Sequence, residues 1–204
     1  MEVKEFIMFQ SRVSEYPIDP VFMNRWSPRS FDQAEMPQSD LLTILEAARW
    51  APSAYNIQPW RFFYSRRNDA HWQGHLDILD DFNKGWAKNA SALVYIASDR
   101  IITRDDADDK PSQTHSFDTG AAWAQMALQA TVSGYSVHAM AIQNVETAVR
   151  TLNLPDRFQL EAVVAIGKRA SVSLLPEFLQ EREMPSSRMT VQELAFEGLY
   201  SDDS

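Results

Sequence analysis

Ala48-Arg49-Trp50-Ala51-Pro52-Ser53-Ala54-Tyr55-Asn56-Ile57-Gln58-Pro59-Trp60 carries a helix end, a polar loop and a strand start in unbroken succession. Upstream, Leu41, Leu42, Leu45 and Ala48 recur at helical spacing behind Ser39 and Asp40, which are expected as N-cap and first-turn acid. Pro52 stops that helix. Downstream, Arg61-Phe62-Phe63-Tyr64 has the bulky, aromatic composition of a strand, and Pro59 is expected to hold Gln58 extended.

Outward from this stretch, helical periodicity recurs from about Ala121 to Ala130 and from Val145 to Leu152, with Glu146 and Arg150 spaced as an i,i+4 pair. Strands are predicted at Arg61 to Tyr64, Leu93 to Ser98, Ser136 to Ala141 and Leu160 to Gly167. Helices and strands interleave in a way that does not suit a sandwich, so a mixed sheet faced by helices is expected. Thr190 and Glu193 form a capping box for a short terminal helix.

The chain has 204 residues, a length that suits one domain with one core. A net charge of −9 argues against nonspecific binding to nucleic acid or anionic membranes, which need basic faces. No cysteine is present, which removes disulfides, thiolate nucleophiles and cysteine-ligated metals and suits a reducing cytoplasm. Met1-Glu2-Val3-Lys4-Glu5 lacks the features of a signal peptide, and no apolar run approaches membrane-spanning length. The charged segment Arg104-Asp105-Asp106-Ala107-Asp108-Asp109-Lys110-Pro111 reads as a solvated surface loop.

Other chemistries lose their support. His71 and His75 have zinc-ligand spacing, but Trp72 stands where the motif needs Glu, and no third ligand is evident. His138 on a strand reads as a core or edge residue. Dinucleotide-binding, phosphate-loop and nucleophile-elbow glycine motifs are all missing from the sequence. Ser53, Asn56 and Gln58, by contrast, offer neutral donors and acceptors suited to the edge of a planar heteroaromatic ring, although such side chains also commonly satisfy their own loop.

The stretch from Ala51 to Trp60 resembles the Ala-Pro-Ser-x-x-Asn-x-Gln-Pro-Trp signature of the nitroreductase family of FMN-dependent oxidoreductases. Arg25-Trp26-Ser27-Pro28-Arg29-Ser30-Phe31 is similar to that family's Arg-x-Ser-x-Arg-x-Phe element. Phe82 to Ala90 resembles an Asn-containing segment before a central strand, with Asn83 the transferable residue and Trp86 where some members carry Lys. Pro185-Ser186-Ser187-Arg188 resembles the closing basic segment, although Ser186 and Met189 stand at positions that are often basic.

The resemblance runs from about Tyr16 to Tyr200. It implies an α+β fold with a mixed, mainly antiparallel sheet flanked by helices, one domain over residues 1–204, a lid near residues 99–117, and an intertwined homodimer with FMN at the interface. Arg25, Trp26, Ser27, Arg29, Asn83, Met140, Ala141 and Arg188 would bind FMN from one subunit. The Arg residues would meet the phosphate and the strand end at Met140 and Ala141 would meet flavin N5. Pro52, Ser53, Ala54, Asn56 and Gln58 would come from the other subunit. The implied activity is ping-pong transfer of hydride from NAD(P)H through the flavin to a nitroaromatic, quinone or similar conjugated acceptor, with no catalytic side chain and no metal. A specialised flavin enzyme for dehydrogenation, ene reduction or dehalogenation, or a non-catalytic flavin-binding protein, is the alternative.

Overall fold

The computed structural model describes residues 12–104 and 107–200. Met1 to Glu5, read above for a leader, and Asp105 and Asp106 of the charged segment lie outside the described residues. In chain order the elements are α1 (Pro20–Asn24), α2 (Gln38–Arg49), β1 (Trp60–Arg66), α3 (Trp72–Ile78), α4 (Asp81–Ala87), β2 (Ala92–Asp99), β3 (Ile101–Arg104), β4 (Ala107–Pro111), α5 (His115–Val132), β5 (Ser136–Met140), α6 (Val145–Thr151), β6 (Phe158–Gly167), α7 (Glu177–Gln180) and α8 (Val191–Leu194).

Strands β1, β2, β6 and β5 lie side by side in that order, each pair antiparallel. The expected α+β architecture is present, with this sheet antiparallel throughout. Every residue of β2 is buried, so its period-2 alternation feeds two cores rather than a core and a solvent face. Ala92, Val94 and Ile96 pack with Leu41 and Ile44 of α2 and Met126 of α5. Leu93 and Tyr95 pack with Trp72 and Leu76 of α3 and Trp86 of α4. Helices thus cover both faces, each buried Leu or Ile contributing about 1.5–3 kcal/mol.

Several local expectations are corrected. Helix α2 begins at Gln38 behind Pro37, whose φ of −55° starts the helix without a side-chain cap. Ser39 therefore lies inside the helix, while Asp40 is the first-turn acid as expected and accepts a 2.6 Å bond from the Tyr135 hydroxyl. Helix α5 starts six residues before Ala121, because its polar first turn is held by the end of the sheet: Ser116 Oγ donates to Glu161 at 2.6 Å, and Ser98 Oγ lies 2.8 Å from His115 Nδ1. Arg150 turns to the Thr147 hydroxyl instead of Glu146. The charged segment expected as a loop pairs β3 with β4 in a separate hairpin. The capping box at Thr190 and Glu193 forms as expected.

Candidate functional site

Arg25 ends α1 and points one guanidinium nitrogen at Ser27 Oγ, 3.3 Å away. Arg12 joins it from upstream, donating to the carbonyls of Met23 and Arg25, both at 2.9 Å, and to that of Ser186, also at 2.9 Å. Arg188 lies in the same group and donates to Ser186 Oγ at 2.9 Å. Burial holds the Arg12 and Arg25 guanidinium groups below their ordinary pKa, and the charge of Arg188 lowers both further. Among the described residues, none of the three forms an ion pair with an acid.

Arg29 follows in the same segment. Its guanidinium lies 6.0 Å from the centre of the Trp86 ring, and its Nε is buried with no partner. Trp86 is fully buried between Phe31 and His138, whose ring centres lie 6.3 and 4.7 Å away. The position where some relatives carry Lys is thus filled by core, with the nearby cation arriving from Arg29 instead. His138 Nδ1 lies 3.0 Å from the Pro28 carbonyl, and because that oxygen only accepts, the proton sits on Nδ1. Burial pushes the imidazole down to about 4, helped by the charges of Arg29 and Arg25 and opposed by the carbonyls of Pro28 and Ser27. His138 is therefore neutral near pH 7 and fixes the Arg25–Arg29 segment to β5.

The Ser53–Gln58 loop is a single 3₁₀ turn with unusual backbone. Tyr55, Asn56 and Gln58 have φ of 51°, 55° and 53°, in the left-handed region that side chains other than Gly, Asn and Asp rarely adopt. Gln58 is therefore not extended as Pro59 led one to expect: its N–H turns back to Ser53 Oγ at 3.0 Å and closes the loop. Ala54 N–H donates to Asp118 of α5 at 3.2 Å, and Gln58 Nε2 reaches the Asn56 carbonyl at 3.0 Å. These three bonds hold the loop in its left-handed backbone. Pro52, Tyr55 and Asn56 are exposed, and Arg104 of the hairpin lies 5.4 Å over the Tyr55 ring.

The remaining expected residues fall at two ends of the sheet. Met140 is buried at the end of β5, with exposed Ala141 just beyond it, and Trp26 is buried within the Arg25–Arg29 segment. Asn83 is tied to Asp80, which caps α4 by accepting from its N–H at 3.0 Å and its Nδ2 at 2.7 Å. The polar loop leads into β1, at the opposite edge of the sheet from β5. It enters β1 at Trp60, opposite Ser98 and, across β2, Gln159, whereas His138 of β5 pairs with Ala165. Three strand spacings, about 14 Å, and six residues of β6, about 20 Å, therefore separate the loop's entry into β1 from His138, which holds the Pro28 carbonyl. Arg12, Glu183 and the contacts of His138 were not anticipated, since each works through a partner distant in sequence.

A family model described as Nitroreductase family matches residues 22–71, which include both the Arg25–Arg29 segment and the loop. The chain is 31% identical over 96 residues to the major NAD(P)H-flavin oxidoreductase of Aliivibrio fischeri, a match covering 46% of this chain and 44% of that protein. It is 27% identical over 188 residues to a CLA biosynthesis enone reductase of Lactiplantibacillus plantarum, covering 76% and 86%. Among solved structures, one described as the oxidoreductase containing FMN superposes with a TM-score of 0.91 at 48% identity, covering 93% of this chain and 96% of that one. Similarity that extends from the two motifs to nearly the whole fold places the chain in the nitroreductase family.

Proposed function

We propose that the protein is an FMN-dependent NAD(P)H oxidoreductase acting as a homodimer of one-domain chains. The observation that carries this reading is the convergence of Arg12, Arg25 and Arg188 without an ion pair to any acid among the described residues. Like charges gathered from distant parts of the chain cost free energy that an anion offsets, and forked guanidinium groups match the oxygens of a phosphate ester. The FMN phosphate fits here, held by Arg25 and Arg188 with Ser27 and Arg12 beside them. Arg29, whose buried Nε lacks a partner, is the next donor along the same segment. Trp26, Asn83, Met140 and Ala141 complete this chain's share of the cofactor contacts.

Pro52, Ser53, Ala54, Asn56 and Gln58, on the loop that leads into the sheet edge opposite β5, would serve the partner's cofactor. Bound FMN would supply the two-electron chemistry, taking hydride at N5 from NADH or NADPH and returning it to an acceptor in the same stacking position. The side chains bind, orient and exclude water, which accounts for a site without an acid–base pair. The β3–β4 hairpin, resting on Tyr55 through Arg104, would act as a lid that restricts the acceptor. A nitroaromatic, a quinone or another conjugated electrophile is the acceptor class, and the name of the Lactiplantibacillus relative favours including enones. We place the enzyme in the cytoplasm, in keeping with its lack of cysteine.

The test is uptake of FMN by the purified protein, followed by anaerobic titration with NADH and with NADPH while the flavin spectrum is recorded. Bleaching by one or both is expected. Protein that takes up no FMN overturns the reading, and bound FMN reduced by neither nucleotide leaves a flavin-binding protein without turnover.

A further inference from the structure

Glu183 stands just after α7, and its carboxylate reaches 153 and 154 residues back along the chain to Ser30 and Arg29. A single oxygen, Oε1, accepts from both backbone N–H groups, at 2.7 Å from Arg29 and 2.8 Å from Ser30. The residue is 7% exposed, and its second carboxylate oxygen, Oε2, is buried with no partner. A buried carboxylate with one oxygen bare is a poor choice for stability alone, because the unmet oxygen keeps its desolvation cost. The neighbouring guanidinium does not relieve it: Arg29 Nε is buried and unpartnered too, and no ion pair joins Arg29 to Glu183. The carboxylate serves the backbone of Arg29 and leaves its buried Nε unmet.

We infer that Glu183 is a positioning residue of the cofactor site, pinning the Arg29–Ser30 backbone and seating the segment that carries Arg188. Two N–H groups converging on one oxygen fix the peptide plane between Arg29 and Ser30, and with it the direction in which the Arg29 side chain leaves the backbone. Ser30 Oγ adds a 2.6 Å bond to the Ser171 carbonyl, so the segment is held from two sides. From Glu183 onward the chain has no regular structure until α8, and Arg188 lies five residues along it. The bond of Arg12 Nε to the Ser186 carbonyl supports the far side. Glu183 thus anchors one end of a short strap whose other end brings Arg188 to Arg12 and Arg25.

This inference rests on the FMN reading, and two measurements keep their failures apart. The first is FMN affinity by titration of Glu183→Ala, Glu183→Gln, Arg188→Ala and the Glu183→Ala/Arg188→Ala pair. Glu183→Ala is expected to raise Kd about tenfold or more, and Glu183→Gln, which keeps a neutral acceptor, about threefold. The double variant should lose less than the product of the single losses, because Glu183 acts partly through Arg188. Full multiplicativity, or a Glu183→Ala Kd within about twofold of wild type, overturns the inference. Should Glu183→Ala not fold, an unchanged Kd in Glu183→Gln overturns it as well.

The second measurement is amide hydrogen exchange at Arg29 and Ser30 in cofactor-free protein, which needs no flavin. Glu183→Gln should speed both amides about threefold or more while leaving β2 unaffected, and unchanged rates at both amides overturn the inference. Wild-type protein that binds no FMN but protects both amides overturns the cofactor reading while the pin itself stands.

Discussion

Arg25 and Arg188 bring forked donors to one place from opposite ends of the chain, and the cost of losing either is readable in cofactor affinity. Arg25→Ala and Arg188→Ala are each expected to raise the FMN Kd roughly tenfold to hundredfold in a fluorescence titration, the range of a charge-assisted hydrogen bond. Arg188→Lys should recover only part of that, because an ammonium has no fork. His138 makes a pH prediction. Its folded pKa of about 4 lies below the ordinary 6.5, so between these values the unfolded chain binds a proton that the native chain refuses. Its contribution is therefore fully present above about pH 6.5 and is lost progressively as the pH falls toward 4. His138→Asn, which keeps a donor toward the Pro28 carbonyl, should flatten that decline in chemical-denaturation midpoints measured between these pH values. Residues such as Ser53, Asn56 and Arg25 could be singled out in the sequence as candidates because they sit in contiguous motifs. Arg12 and Glu183 were not, because their partners are Ser186, Arg29 and Ser30, and nothing local marks a contact across so much chain.

Among the elements, β6 ends at a glycine for a steric reason. A Cβ on Gly167 would stand 2.8 Å from Phe31 Cδ1 and 3.2 Å from the Ser91 nitrogen. Phe31 is fully buried and cannot swing away, so Gly167→Ala is expected to cost about 1–3 kcal/mol in urea unfolding and to loosen the segment behind Arg29. Helix α4 depends on Asp80, and Asp80→Ala should lose about 1 kcal/mol of stability. It also frees the Asn83 amide, so FMN affinity should fall with it. The strands and main helices followed from periodicity because apolar spacing records burial directly, and the two-sided burial of β2 shows as its continuous apolar run. The start of α2 and the backbone at Gln58 were misjudged for a different reason. The helix entry is set by the fixed φ of Pro37 with no side-chain cap, and the loop by a bond from the Gln58 N–H to Ser53 Oγ five residues back, which overrides the extended preference that Pro59 imposes.

The whole molecule carries the two halves of its proposed site toward opposite edges of one sheet, so two copies are expected to complete each other. Arg25→Ala/Arg188→Ala protein mixed with Asn56→Ala/Gln58→Ala protein under exchange conditions should form mixed dimers in which one of two sites is intact. With random pairing, about a quarter of all sites should recover wild-type FMN affinity, whereas chains that each hold a whole site would recover none. The three converging guanidinium groups have one more consequence, for the fate of the polypeptide rather than its chemistry. With FMN at this cluster as proposed, their repulsion would make the cofactor-free chain the less stable form, and cofactor at hundredfold excess over Kd would add about 2.7 kcal/mol. Cellular proteases remove the form that opens more often. The number of copies a cell retains would then follow its supply of the vitamin from which FMN is made, falling in scarcity with no change in synthesis.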